Sequence, residues 1–598
     1  MPELQFKGKE FVYNHHLTVP FRPLEMQADK GIGAPRLDGN LIIHGDNLHA
    51  LKALLPTHAG KVDCIFIDPP YNTGNEGWCY NDNVNSPMIK EWLKANPIGL
   101  DDGLRHDKWA CMMWPRLKLL HELLAGTGSF WMTLDDTESH HARELLDDIF
   151  GAENFVADIA WKHTQQSKND ETYFSRNKNN IICYRKSPDT KEFLFARDNA
   201  DNINYSNTDN DPKGDWRSGD FRSPSFRKTL RYCIYTPSGK VIKPPENGWR
   251  WSEAEVQSKI HSGEIKFSED ETRIIRKIYL SKQEGRTPEN LWNDEKYGTS
   301  RMANAQLREI FSGTSPFDTP KPVELIQKIL ELSTNSESLI LDSFAGSGTT
   351  AHAVLAANAR DGGNRRFILV EGEDYSDSLT AERVRRVSKG YPFKGTQRDE
   401  LLREPLTYSK LKNANALLEK VQRIETLDGP KYDRIKPTVK DGVLIVIGER
   451  DVAETATGLG GEFTYCELGA PIEMDAILSG EGLPDPAAMA GLLWHTATAQ
   501  PFDLASMSPA PEIGEGIARL GEFAGRTYWL IYCDDLDWLK SGEAALSLTK
   551  ARAIAETATG NHLVFAPAKF VSRELLARER LDVDYAPLPF ALYRLETA

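Results

Sequence analysis

The sequence predicts a doubly wound α/β sheet interrupted by a large insert, and three observations carry that prediction. Short apolar runs alternate with amphipathic helical stretches through residues 41–153 and again through 312–394, the pattern of strand–helix–strand units on a parallel sheet. Asp68-Pro69-Pro70-Tyr71 follows directly on the apolar run Val62–Ile67. A carboxylate, two prolines and an aromatic ring therefore stand at a strand's carboxyl end, where open α/β sheets bind ligands. Finally, residues 338–342 pass through Ser343-Phe344-Ala345-Gly346-Ser347-Gly348-Thr349-Thr350 into a helix, and the next apolar run ends on Glu371.

The organisation expected is an N-terminal arm (1–40), two halves of one sheet domain (41–153 and 312–394), an insert between them (154–311), a charged helical connector (395–440) and a small α/β domain (441–598). In the arm, Pro20, Pro23 and Pro35 break any long element, and Gly31-Ile32-Gly33 reads as a loop. Leu41–His44 is a strand, and Leu48, Leu51, Leu54 and Leu55 keep helical spacing after Asp46, which fits a helix N-cap. Residues 108–124 form an amphipathic helix that Pro115 would kink or split. Residues 129–134 are the next strand and 142–150 the next helix, with His140-His141 solvated near its start. Pro322 opens a helix whose apolar face is Leu325, Ile326, Ile329, Leu330 and Leu332.

The chain has 598 residues, 27% charged, 40% hydrophobic, with a formal net charge of −15. No apolar run is long enough to span a membrane, and the N-terminus lacks a signal peptide's apolar core, so a cytoplasmic protein without a membrane partner is expected. Seven scattered cysteines with no Cys-x-x-Cys pair argue for reduced thiols and against a metal site. The absence of Gly-x-x-x-x-Gly-Lys-Ser/Thr excludes a P-loop triphosphate site, and no helicase or nuclease cluster is found. The overall acidity counts slightly against DNA binding. Within the insert, however, residues 213–232 carry six Lys or Arg against two Asp, interleaved with aromatic rings. Arg217, Arg222, Arg227, Lys228 and Arg231 form a local basic patch of the kind a nucleic-acid surface needs; the alternative is a solvated loop with cation–π contacts.

At the first site, the prolines stiffen the backbone and remove N–H donors. Carbonyl and carboxylate acceptors beside a flat ring suit a planar group bearing an exocyclic NH2. At the second, small residues let a ligand approach the helix N-terminus, and Glu371 is spaced to hydrogen-bond a ribose diol, a combination that points to a nucleoside-containing cofactor.

These residues resemble the amino-methyltransferases of DNA, and more closely the modification (Mod) subunits of type III restriction-modification systems. The resemblance rests on Asp68 to Gly74 with the following Trp78-Cys79-Tyr80-Asn81-Asp82-Asn83, on residues 344–350, on Thr319-Pro320-Lys321-Pro322, and on Tyr235 to Lys240 and Pro244 to Trp251 in the insert. The order of catalytic strand, insert and cofactor motif is that of the circularly permuted beta group. It implies a Rossmann-like class I methyltransferase sheet that transfers a methyl group from S-adenosyl-L-methionine to adenine N6 in flipped-out duplex DNA. It assigns catalysis to Asp68, Pro69, Pro70 and Tyr71. The cofactor falls to Asp46 (an alternative to its plain capping role), Lys321, Asp342, Phe344, Ala345, Gly346, Gly348, Thr349 and Glu371. Trp78 and Tyr80 would line the base pocket, and residues 154–311 would recognise the target. It further implies a homodimer and a separate restriction (Res) subunit. Cytosine-N4 transfer, a stand-alone methyltransferase, methylation of RNA and a catalytically silent DNA-specificity subunit remain the alternative readings.

Overall fold

The runs rich in Leu, Ile and Val become the buried centre of a ten-stranded sheet. In the computed structural model, residues 4–73, 103–165, 172–199, 201–406, 408–440, 443–472, 483–557 and 560–588 are described. They fall into two units, Met1–Lys191 with Asn290–Ala598, and Glu192–Glu289. The main sheet of the first unit comprises β1 (Leu24–Ile32), β2 (Leu41–His44), β3 (Val62–Ile67), β4 (Leu124–Leu134), β5 (Phe155–Trp161), β6 (Asn179–Arg185), β7 (Leu291–Trp292), β8 (Leu339–Asp342), β9 (Arg366–Glu371) and β10 (Phe463–Leu468). Their spatial order is β1-β10-β2-β9-β8-β3-β4-β6-β5-β7. The central strands from β10 to β4 run parallel, while β1 and β6 pair antiparallel with them.

The neighbours β3 and β8 decide where the site falls. Ile340 pairs with Cys64 and Leu341 with Ile65. Both strands are apolar throughout their buried centres, as parallel strands covered on two faces must be. The chain segments after Ile67 and after Leu341, far apart in sequence, therefore emerge side by side at the carboxyl edge. Helices α1 (Asn47–His58), α2 (Arg105–Leu123), α3 (Ser139–Phe150), α4 (Val323–Ser333), α5 (Thr349–Asp361) and α6 (Glu382–Lys389) flank the sheet. α2 continues through Pro115. It is buried along most of its length, with Trp109 and Trp114 wholly enclosed, and that packing outweighs the backbone bond Pro115 removes.

Several boundaries differ from expectation. The stretch 154–311 divides: β5, β6 and β7 join the main sheet, and the separate unit is Glu192–Glu289. Their inward residues Ile159, Trp161, Ile181, Cys183 and Trp292 are buried, a signal diluted by polar neighbours. The N-terminal arm supplies β1, and Gly31 lies inside it rather than in a loop. A Cβ on Gly31 would stand 2.6 Å from the Phe463 carbonyl oxygen on β10, so the glycine permits that close strand approach. Much of the connector belongs to a three-stranded antiparallel sheet in which Val443–Thr457 lies between Gly390–Pro405 and Arg434–Lys440, and it also holds the helix Ala414–Asp428. Beyond β10, a five-stranded sheet includes Ile517–Phe523, Arg526–Ile531, Asn561–Ala566 and Val583–Pro587. Among the described residues no helix is long and apolar enough to cross a membrane.

The smaller unit is built on a three-stranded antiparallel sheet, Ile265–Phe267, Ile274–Tyr279 and Trp216–Gly219. Its core is Phe221, Ile234, Trp249, Val256 and Ile265.

Candidate active site

At the carboxyl edge of the main sheet a cavity of about 720 Å³ opens between the ends of β2, β3, β8 and β9. Asp46, Asp68, Pro69, Pro70, Tyr71, Lys321, Asp342, Phe344, Ala345, Gly346, Thr349 and Glu371 all line it. The structure thus brings together every expected catalytic residue and all but one of the expected cofactor residues. Gly348 sits behind the wall: its φ is +76°, and a Cβ there would meet the Thr380 carbonyl oxygen at 3.0 Å. Trp78 and Tyr80 lie outside the described residues.

Asp68 is held from three directions. Thr133 of β4 and the Tyr71 hydroxyl, the latter at 2.9 Å, donate to Oδ1. Lys321 forms an ion pair with Oδ2, and its ammonium lies 5.2 Å from the centroid of the Tyr71 ring. Lys321 thus contacts the Asp68 carboxylate and lines the cavity as well. The two proline carbonyls are not equivalent. Trp109 of α2 donates its indole N–H to the Pro70 oxygen at 2.8 Å, whereas no donor among the described residues reaches the Pro69 oxygen. Burial, reinforced by the charge of Asp68, pushes the Tyr71 phenol well above its usual range, so it stays a protonated donor.

The glycine turn is shaped by acids. Glu371 accepts the Gly346 N–H at 2.7 Å and the Glu373 N–H at 3.1 Å. Gly346 adopts a left-handed φ of +49° against Phe317. Asp342 accepts from the Thr350 hydroxyl at 2.5 Å and the Phe344 N–H at 3.1 Å. Burial pushes its carboxyl up to about 7, and burial likewise raises that of Glu371. Asp46 is both the N-cap of α1, accepting from the Leu48 N–H at 2.8 Å, and a partner of Arg116 at 3.3 Å. Its side chain keeps 41% exposure toward the cavity, so the capping role and a ligand role coexist. Sequence reading missed the supports: Thr133, Trp109, Phe317, Arg116, and Asn47, which donates to the Ser343 carbonyl at 2.9 Å. No local pattern marks them, because each matters only through a partner distant in sequence.

The cavity suits a nucleoside cofactor bearing a positive centre. Among the described residues, Asp46, Asp68, Asp342, Glu371 and Glu373 line it with the one cation Lys321. The Ser343 hydroxyl on its wall is buried with no hydrogen-bond partner among the described residues, a group a ligand would satisfy.

On the smaller unit all five expected DNA contacts are exposed. Arg222 is paired with Asp220, Arg217 donates to the Tyr205 hydroxyl at 3.1 Å, and Arg231 lies over Phe226. The interleaved aromatics are less available than expected. Trp216 and Phe221 are buried as core, while Phe226 stays open to solvent. A further set of cations, Arg250, Lys259 and Arg276, surrounds Trp251.

The Asp68–Tyr71 motif and the glycine turn thus share one cavity at the carboxyl edge of a mixed α/β sheet. The DNA methylase family matches residues 62–380, and the chain belongs to that family. The Mod subunit of the type III restriction-modification enzyme StyLTI from Salmonella typhimurium strain LT2 is 32% identical over 386 residues, covering 58% of this chain and 57% of that one. The EcoPI Mod subunit of Escherichia phage P1 is 31% identical over 384 residues, covering 56% and 58%. The type II methyltransferase M.KpnI from Klebsiella pneumoniae is 33% identical over 351 residues, covering 55% and 79%. The chain thus spans less than three-fifths of the length of the two Mod subunits it matches.

Proposed function

We propose that this protein methylates adenine N6 in duplex DNA and serves as the Mod subunit of a type III restriction-modification system. The observation that carries the proposal is the adjacency of β3 and β8, which sets Asp68-Pro69-Pro70-Tyr71 and the glycine turn in one cavity. S-Adenosyl-L-methionine supplies an electrophilic sulfonium methyl group when bound. Glu371 accepts from the ribose diol, Asp46 faces the adenine end, and Asp342 with the turn from Phe344 to Thr349 shapes the remaining wall. Asp68 and the Pro69 carbonyl accept hydrogen bonds from the two amino N–H groups of a flipped adenine. This draws the nitrogen lone pair out of the ring and toward the methyl, and one of those protons is released as the N–CH3 bond replaces the sulfonium C–S bond. Tyr71 stacks on the base. Base flipping costs a few kcal/mol, offset by these contacts, and orientation alone contributes about 7–11 kcal/mol of barrier lowering. The smaller unit reads the DNA site through its exposed cations. The protein works as a homodimer in the cytoplasm, with a separate Res subunit for cleavage.

The test is incubation with unmethylated bacterial genomic DNA and methyl-labelled S-adenosylmethionine, followed by digestion to nucleosides. Label on N6-methyladenine is expected. Label on N4-methylcytosine overturns the base assignment. No label, with DNA and cofactor still bound, makes the chain a specificity subunit instead.

A further inference from the structure

Directly after the catalytic tetrapeptide, Asn72 is fully buried with a left-handed φ of +60°. Asparagine tolerates left-handed backbone better than most non-glycine residues, and here its side chain is tied down as well. Its side-chain amide donates to Glu138 Oε1 at 2.5 Å and to the Arg105 carbonyl at 3.2 Å. Glu138 lies at the N-cap of α3, completely buried, and its carboxylate reaches across to the start of α2. There His106 Nδ1 stands 2.6 Å from the same Oε1. A carboxylate can only accept, so Nδ1 carries the proton. Burial, then the charges of Arg105 and His140, pull His106 below its usual imidazole range.

His106, Glu138 and His141 also bring three potential ligand atoms within 4.8 Å of one another. At the spacing described, His106 and Glu138 are hydrogen-bonded to each other rather than splayed as two ligands of one ion. Two ligands of one zinc ion, each at about 2.0 Å in a tetrahedron, stand roughly 3.3 Å apart. The 2.6 Å between His106 and Glu138 is a hydrogen bond.

We propose that Glu138 is a positioning residue for methyl transfer: steadied by His106, its carboxylate clamps Asn72 and so aims the Pro69 carbonyl and Asp68 at the target amine. The inference rests on the methyltransferase reading above. α2 then grips the motif at two points, since Trp109, one turn beyond Arg105, binds the Pro70 carbonyl. Releasing Asn72 lets its backbone relax to negative φ and swings the tetrapeptide out of alignment, while the cofactor wall, built on β8 and β9, stays put.

Three full-length variants test this: Glu138→Ala, Glu138→Gln and Asn72→Gly. Glu138→Ala should lower kcat about 10²-fold, the cost of an ångström-scale misplacement, with cofactor and DNA affinities unchanged. Glu138→Gln keeps an acceptor oxygen and should recover most of the loss. Asn72→Gly keeps the left-handed backbone but loses the clamp, and should resemble Glu138→Ala. Hydrogen–deuterium exchange of the peptide spanning residues 66–73 should quicken in Glu138→Ala without global change. An unchanged kcat in Glu138→Ala, or a loss of cofactor affinity and melting temperature in step with kcat in all three variants, overturns the proposal. So does a stoichiometric metal whose chelation reproduces Glu138→Ala. A wild-type protein that transfers no methyl overturns the reading of function instead, because the exchange comparison reports on the clamp without turnover.

Discussion

Asp68 concentrates several demands on one side chain. In the proposed reaction it presents a lone pair to the substrate, yet three donors already hold it, Lys321 among them. Asp68→Ala should lower methyl transfer by about 10²–10⁴-fold, the range for a positioned proton acceptor. Cofactor affinity by calorimetry should be preserved; loss of both would make Asp68 a structural residue. Asp342 carries a different signature. Its carboxyl lies near 3.8 ordinarily and is pushed up to about 7 in the fold. Between those values the native state binds the proton that the unfolded chain has released, so this group's contribution to stability falls as pH rises from about 4 to about 7. Asp342→Asn should remove that slope, up to about 1.4 kcal/mol per pH unit. Denaturant unfolding of both proteins across the window measures the difference, and parallel curves would show that Asp342 is not protonated in the fold.

At the scale of elements, the glycine turn shows how much of the site was legible and why. Gly346 and Gly348 were readable because left-handed backbone between a strand and a helix calls for glycine, and both adopt it. Their roles divide once neighbours are seen. Gly346 faces the cavity against Phe317, whereas Gly348 is pressed on the Thr380 carbonyl. Gly348→Ala should cost about 1–3 kcal/mol of stability through strain and weaken cofactor binding, both measurable by thermal unfolding with and without S-adenosylmethionine. A variant as stable as the parent would mean the turn relaxes freely. The parallel strands β2, β3, β4, β8 and β9 were legible because strands buried on two faces read as runs of Val, Ile, Leu and other apolar residues. β1 and β10 were not. β1 is half-polar at a sheet edge, and its partner lies some 440 residues away in β10. Shorter separations, of 65, 39 and 70 residues from their partners, still hid Thr133, Trp109 and Arg116: hydrogen bonds formed only after folding leave no periodicity to read.

For the whole molecule, a formal charge of −15 and a polyanionic partner are reconciled only if binding is confined to a local surface. The exposed Arg227, Lys228 and Arg231, crowded around one short turn of the smaller unit, are the best placed to provide it. Arg222 is engaged with Asp220 and Arg217 with Tyr205, so they are less free to reach phosphates. Each phosphate contact releases condensed counterion and steepens the fall of log K with log salt by about 0.9. Replacing Arg227, Lys228 and Arg231 together with Gln should therefore weaken DNA binding across sequences and flatten the salt dependence by up to about 2.7, read by fluorescence anisotropy over a salt series. Cofactor affinity, set in the other unit, should not move. A slope identical to the parent's would shift the electrostatic footprint to Arg250, Lys259 and Arg276 around Trp251, where cations already stack on an aromatic face as single-stranded or flipped nucleotides require.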